Sequence, residues 1–283
     1  MPSRSIALAS SLAALLLAGS GCGGGTEHHD VHPEALLDAA AAHPIESGQT
    51  EIEIRLQVHG MAQLTSPLTL KLDGPYVSGR GVRIPSFDWK LTAGALGFPV
   101  GGQVASTGTN VFLSVYGDNY EVGVEPIAAA NARIREAAAA GRSPLSLRPR
   151  AWFGPARYDG EGNEGDVDCA RISGPLRGRV IESQLTPLTE QLGLSAPPAV
   201  SGTARACVGF DDHTFHQLGL DAEIAIPPED RSRLGGATGA HVSADVDLAD
   251  IGQPQQISIP GDGYRPIRDL LLSLNDLGVP IPL

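Results

Sequence analysis

Between Glu51 and His59 the chain alternates strictly. Ile52, Ile54, Leu56 and Val58 are apolar, while Glu51, Glu53, Arg55, Gln57 and His59 are polar or charged. A period of two sends successive side chains to opposite faces of an extended chain, so this segment predicts a strand with one apolar and one wet face. The alternation returns at Leu68, Leu70 and Leu72, where Asp73-Gly74-Pro75 is expected to end the strand, and again at Phe87, Trp89 and Leu91. Val104 and then Val111, Leu113 and Val115 continue it, with Gly117-Asp118-Asn119 as a turn before an extended segment from Tyr120 to Val124. Half-buried strands in succession predict an antiparallel meander.

Helix signals frame this run. Pro33 suits the first position of a short helix through Ala42, and Pro126 opens an Ala-rich helix to Ala140 that stops at Gly141. A Pro-broken connection from Ser143 to Pro155 leads to further strands: Val167 to Ile172, Thr203 to Phe210, His216 to Ile226 and Ala240 to Leu248. Asp211-Asp212-His213-Thr214 reads as a hairpin turn. Val180 to Leu194 reads as a helix that Pro187 is placed to split. Pro266 to Leu277, stopped by Gly278, reads as an amphipathic helix with Leu270, Leu271, Leu274 and Leu277 on one side. Many strands interrupted by a few helices predict an antiparallel α+β protein.

The N-terminus has a secretory layout: Arg4, an apolar run from Ile6 to Leu17, then Ala18, Gly19, Ser20 and Gly21. The run is short of the ~20 apolar residues a bilayer span needs. Gly21-Cys22 followed by Gly23, Gly24 and Gly25 resembles the bacterial lipobox, whose cysteine is acylated and becomes the new N-terminus. Where the pattern usually has Leu, this chain has Gly19, so ordinary cleavage after Ser20, with Ala18 two residues before it, stays open. Residues 1–21 are expected to be a signal peptide, 22–32 a flexible tether, and 33–283 a single domain.

Charge narrows the partners. The chain has 20 Lys and Arg against 32 Asp and Glu, and loss of residues 1–21 removes only Arg4, leaving a net charge of −13. Such a surface repels phosphate backbones, so no nucleic-acid partner is expected, and membrane attachment is assigned to a lipidated Cys22. Cys169 and Cys207 remain as an even pair in an exported chain, the setting in which disulfides persist, with two buried thiols as the alternative.

Catalytic and ligand motifs are sparse. Gly160-Glu161-Gly162-Asn163-Glu164-Gly165 has the glycine spacing of a dinucleotide loop, but acids fill it and no helix signal follows. Asp159, Glu161 and Asn163 alternate as calcium ligands do, yet Glu164 stands at the loop's glycine position and Ala170 at its last acid. A polar hairpin turn from Asp159 to Asp166 is expected instead. His28 and His32 would share a helix face as metal ligands, but Pro33 argues against helix through them. Asp211, Asp212, His213 and His216 form the nearest approach to a titratable cluster and are expected to be exposed turn residues. No metal, no cofactor and no enzymatic activity are expected.

Several segments together resemble the LolA-like bacterial lipoproteins of the LprG and LppX type. They are Cys22 followed by a helix, the Glu51 to His59 strand and Val167-Asp168-Cys169-Ala170-Arg171-Ile172-Ser173-Gly174. Further on come Asp211-Asp212 in a hairpin, and Asp250-Ile251-Gly252-Gln253-Pro254 before Ile257-Ser258-Ile259-Pro260. The similarity spans residues 33 to 260; the cysteine pair and the Leu-rich C-terminal segment fall outside the family pattern. It implies a large curved antiparallel sheet, a half-barrel, with helices covering its concave apolar face. It also implies an envelope lipoprotein on the extracytoplasmic face that binds an acylated lipid or glycolipid. The cavity is expected to be lined by Ile52, Ile54, Leu56, Val58, Leu68, Leu70, Leu72, Phe87, Trp89 and Leu91. The alternative is a surface sensor or protein-interaction module of the same fold with a filled core and no lipid.

Overall fold

The computed structural model describes residues 31–61, 64, 66–80, 82–95, 98–139, 149–191, 194–196 and 198–276. The expected signal segment, Cys22 and His28 lie outside them. Pro33 opens helix α1 (Pro33–Ala42), and Leu37 and Ala40, one turn apart, are its buried face. The alternating segments become β1 (Ser47–His59), β2 (Leu68–Val77), β3 (Ser86–Ala95), β4 (Phe98–Thr107), β5 (Val111–Val115) and β6 (Asp118–Glu121). Helices α2 (Val124–Ala139) and α3 (Pro149–Trp152) follow. Next come β7 (Arg157–Glu164), β8 (Val167–Pro175), α4 (Gly178–Gln191), β9 (Ala199–Gly209), β10 (Phe215–Ala225), β11 (Gly239–Ala249), β12 (Arg265–Pro266) and α5 (Ile267–Asp276).

These strands form one curved open sheet in the order β12-β6-β5-β4-β3-β2-β1-β11-β10-β9-β8-β7. Every neighbouring pair is antiparallel except β12 with β6, which is parallel. β1 joins the two strand runs: Leu72 lies opposite Ile52 on one side and Val246 on the other. The expected α+β architecture, a half-barrel sheet with helices, is therefore realised as a single sheet.

Four local expectations are corrected. β2 does not end at Asp73 but runs through Gly74 and Pro75 to Val77. A glycine is required there because a Cβ on Gly74 would lie 2.1 Å from the Asp88 carbonyl oxygen of β3. The acidic segment at 159–166 is mostly strand β7, with only Gly165 and Asp166 in the turn, since pairing to β8 satisfies its backbone. α4 passes through Pro187 without a break in its span. At β6 the turn falls earlier than expected: Tyr116 and Gly117 take positive φ, and Asp118 already pairs with Val115.

The filled core lies at one end of the sheet. Leu37 and Ala40 of α1 and Phe153 after α3 cluster with Ala170, Ile172, Ala204, Ala206, Val208, Phe215, Leu218 and Leu248 of β8 to β11. Small residues on the strands make room for these large ones; a Cβ on Gly174 would sit 3.5 Å from the Phe153 ring. A polar clasp fixes α1 in place. Arg150 of α3 bridges Glu34 and Asp38, with its Nε 2.7 Å from the Asp38 carboxylate, and Glu34 also accepts the Ala156 amide at 2.9 Å.

Candidate functional site

The register aligns the apolar residues into rows that cross the sheet. One row runs Val115, Gly102, Leu91, Leu72, Ile52, Val246, Leu218, Ala206, Ile172 and Tyr158, from β5 to β7. A second runs Val100, Ala93, Leu70, Ile54, Ala244, Leu220 and Ala204. A third places Leu68 beside Leu56, then Val242 and Ala222. Nine of the ten residues expected to line a cavity can be followed along these pairings onto one face or onto the neighbouring Phe87–Trp89 stack, whose rings are 4.0 Å apart. The tenth, Val58, lies opposite Ala240 at the end of the same face.

The two ends of this face differ in burial. From β10 to β8 the row is closed over: Leu218, Ala206 and Ile172 are buried under α1 and Phe153. From β1 to β3 it is not: Ile52, Ile54, Leu56, Val58, Leu68, Leu70, Leu72, Phe87, Trp89 and Leu91 are all half-buried, and none belongs to the core cluster. Three neighbouring strands thus present a continuous aliphatic surface that no described helix seals. The Trp89 indole N–H is buried and finds no hydrogen-bond partner among the described residues.

Several contributors to this face were not among the residues expected to line a cavity. Val242, Ala244 and Val246 of β11 and Leu220 of β10 extend it on one side, and Val104 and Leu113 extend it on the other. Their own alternation was visible. What was not visible was that β11 pairs with β1, two hundred residues away in the chain, because pairing of distant strands leaves no local signature.

The opposite face is polar and laced with cross-strand contacts. Lys71 pairs with Glu51 at 2.5 Å, Arg205 with Asp245 at 3.2 Å, and Gln217 with Asp247 at 2.8 Å. At one end a depression of about 400 Å³ is lined by His59, Ser201, Glu223 and Thr238 among others. His241 reaches Glu223 at 2.9 Å and Asp221 at 3.5 Å nearby. Among the described residues no group of three or more His, Cys, Asp and Glu side chains is arranged to hold a metal ion.

Cys169 and Cys207, on adjacent strands β8 and β9, form a disulfide, and both are buried. The hairpin cluster is corrected: Asp211 and His213 are exposed as expected, but His216 is only 6% exposed. A β-bulge between Phe215 and Gln217 turns it inward. Its Nε2 lies 2.8 Å from Asp212 Oδ2 and 3.1 Å from the Thr214 hydroxyl, which itself donates to Asp212 at 2.6 Å. Burial pushes the Asp212 carboxyl up, but hydrogen bonds from the Thr214 hydroxyl and amide and from His216 outweigh it and hold the group below the usual range.

No family model matches the chain, and no curated protein matches it. Among solved structures it is similar to LprF from Mycobacterium bovis, at 11% identity over 81% of this chain and 97% of that one, with a TM-score of 0.49. It is also similar to the lipoprotein LppX of Mycobacterium tuberculosis, at 13% identity over 80% of this chain and 97% of that one, with a TM-score of 0.43. A LolA superfamily protein from Nitrosomonas europaea aligns at 10% identity over 81% and 96% of the two chains, with a TM-score of 0.22.

Proposed function

We propose that the protein is a cell-envelope lipoprotein that holds an acylated lipid or glycolipid against the apolar face of β11 to β3 and carries or presents it. The observation that supports this is the half-buried aliphatic surface formed by Ile52, Ile54, Leu56, Leu68, Leu70, Leu72 and Leu91 in register on adjacent strands. Such a surface suits an acyl chain for a simple reason. Each methylene removed from water contributes about 0.8 kcal/mol without needing a directional partner. Adjacent strands lie about 4.8 Å apart, so the four strands from β11 to β3 offer about 14 Å across the sheet, close to the ~15 Å of one leaflet's hydrocarbon. Lipidated Cys22 would hold this face at the extracytoplasmic membrane surface through the tether at 22–32. The role is non-catalytic: binding and release, with no cofactor.

The test is extraction. Full-length protein purified from its native membrane is stripped with organic solvent and the extract analysed by mass spectrometry. A stoichiometric acylated species is the expected result, and a Cys22→Ser variant should leave the membrane fraction while keeping its affinity for added lipid. A lipid-free extract from protein that co-purifies with one stoichiometric protein partner overturns the reading and favours the interaction module.

A further inference from the structure

At the sheet's β12 edge the apolar face meets the guanidinium of Arg265. Tyr264, just before β12, packs its ring 4.8 Å from Phe112 of β5, whose side chain alternates to the face opposite Leu113. The next residue alternates to the other side, so Arg265 pairs with Tyr120, which pairs with Leu113, which pairs with Val104, which pairs with Trp89. Arg265 therefore stands at the end of a row that leads back to the half-buried surface. Its guanidinium lies 4.9 Å from the Tyr120 ring centroid, and Nη2 donates to the Tyr120 hydroxyl at 2.8 Å and to Asp118 at 2.6 Å.

We propose that Arg265, framed by Tyr120 and Asp118, is the headgroup contact of this face and selects acyl lipids whose head carries an oxyanion, phosphate or carboxylate. The inference rests on the lipid-binding reading above and adds its chemical class. Three observations support it. A guanidinium matches an oxyanion with a fork of parallel N–H donors, and among the described residues the polar contacts of Arg265 engage Nη2 alone of its three nitrogens. The side chain is half exposed, as is that of Asp118, so their ion pair is screened and easily exchanged for a ligand's charge. Tyr120, by contrast, is buried and fixed, so the cation is held beside the apolar surface even when Asp118 lets go.

Full-chain protein is titrated with oleoyl lysophosphatidate and with monooleoylglycerol, which share one acyl chain and differ in the phosphate, and with inorganic phosphate. Wild-type protein should prefer the lysophosphatidate by about tenfold, the step that one charge-assisted hydrogen bond supplies. Arg265→Gln should bring the two lipids to within about threefold by weakening the lysophosphatidate alone, and Asp118→Asn should widen the wild-type gap. Inorganic phosphate should not bind measurably. The proposal is overturned if wild type shows no preference, if Arg265→Gln keeps it, or if free phosphate binds at Arg265 with no gain from the acyl chain. Absence of binding by either lipid, in every variant, overturns the lipid reading itself and this inference with it.

Discussion

Leu37 and Leu91 face the same side of the sheet system, yet replacing each by alanine should have opposite consequences. Leu37 is fully buried in the cluster with Ile172, Ala206 and Phe153, so Leu37→Ala removes its transfer energy and leaves a cavity that the surrounding strands cannot close. The expected loss of stability is about 3 kcal/mol, within the range for buried leucines. Leu91 is half-buried on the open stretch between Leu72 and Gly102, so in lipid-free protein Leu91→Ala forfeits only the covered part of the side chain, about 1 kcal/mol, and leaves no closed void. Its effect should appear in binding. If an acyl chain lies on this face, three carbon atoms of contact are lost, worth about 2 kcal/mol or about thirtyfold in affinity. Urea unfolding of lipid-free protein measures the first quantity, and displacement of a fluorescent fatty-acid probe measures the second. The reasoning is refuted if Leu91→Ala destabilises the lipid-free protein as much as Leu37→Ala while leaving probe affinity intact, because Leu91 would then be core.

Three further outcomes follow from the same geometry. Replacing Cys169 and Cys207 by serine together should cost up to about 4 kcal/mol on the chain-entropy model for a sequence separation of 38, read as a lowered urea midpoint that reductant reproduces in wild type. The Asp212 carboxyl is held below its usual range, so its contribution to stability is complete above about pH 4 and fades as pH falls through the folded-state value; Asp212→Asn should therefore unfold like wild type at low pH and less stably at neutral pH. Asn131, buried within α2, accepts the Ile84 amide at 2.7 Å and donates to the Gly108 carbonyl at 2.8 Å. Asn131→Ala orphans both backbone groups and should cost about 2–4 kcal/mol in thermal or urea melts.

How much of this was legible depended on range. Period-two alternation located β1, β3, β5 and β9 to β11 closely, and Pro33 marked the start of α1 at its observed first residue. Where a local rule and a distant partner disagreed, the partner prevailed. Gly74 and Pro75 signal a turn, but Thr50 donates its hydroxyl to the Gly74 carbonyl and β3 needs the space a side chain would take, so β2 continues. Glycines and acids at 159–166 signal a loop, but β8 supplies a pairing edge, so a strand forms. His216 read as a turn residue because its burial comes from a bulge, which sequence does not announce. Arg265 gave no signal at all: a two-residue strand has no periodicity, and its place on the sheet follows from Tyr264 packing on Phe112.

The division of one apolar face into a closed and an open part has its origin in side-chain size. β8 and β9 present Ala170, Gly174, Ala204 and Ala206 to the apolar side, small enough that Phe153 and Leu37 can descend onto the backbone and fill the space to interior density. β1, β2 and β3 present Ile, Leu, Phe and Trp instead, and these side chains stay half-buried outside the core cluster. A protein partner gains specificity from anchors seated in pockets. A flexible acyl chain has no fixed shape to match and needs only area. If acyl chains lie on this face, each extra methylene adds a similar increment, so chains of similar length would bind alike. Discrimination among lipids would then fall to the few polar groups at the margins, and the half-exposed guanidinium of Arg265 at the β12 edge is a margin group whose charge a neutral head cannot answer.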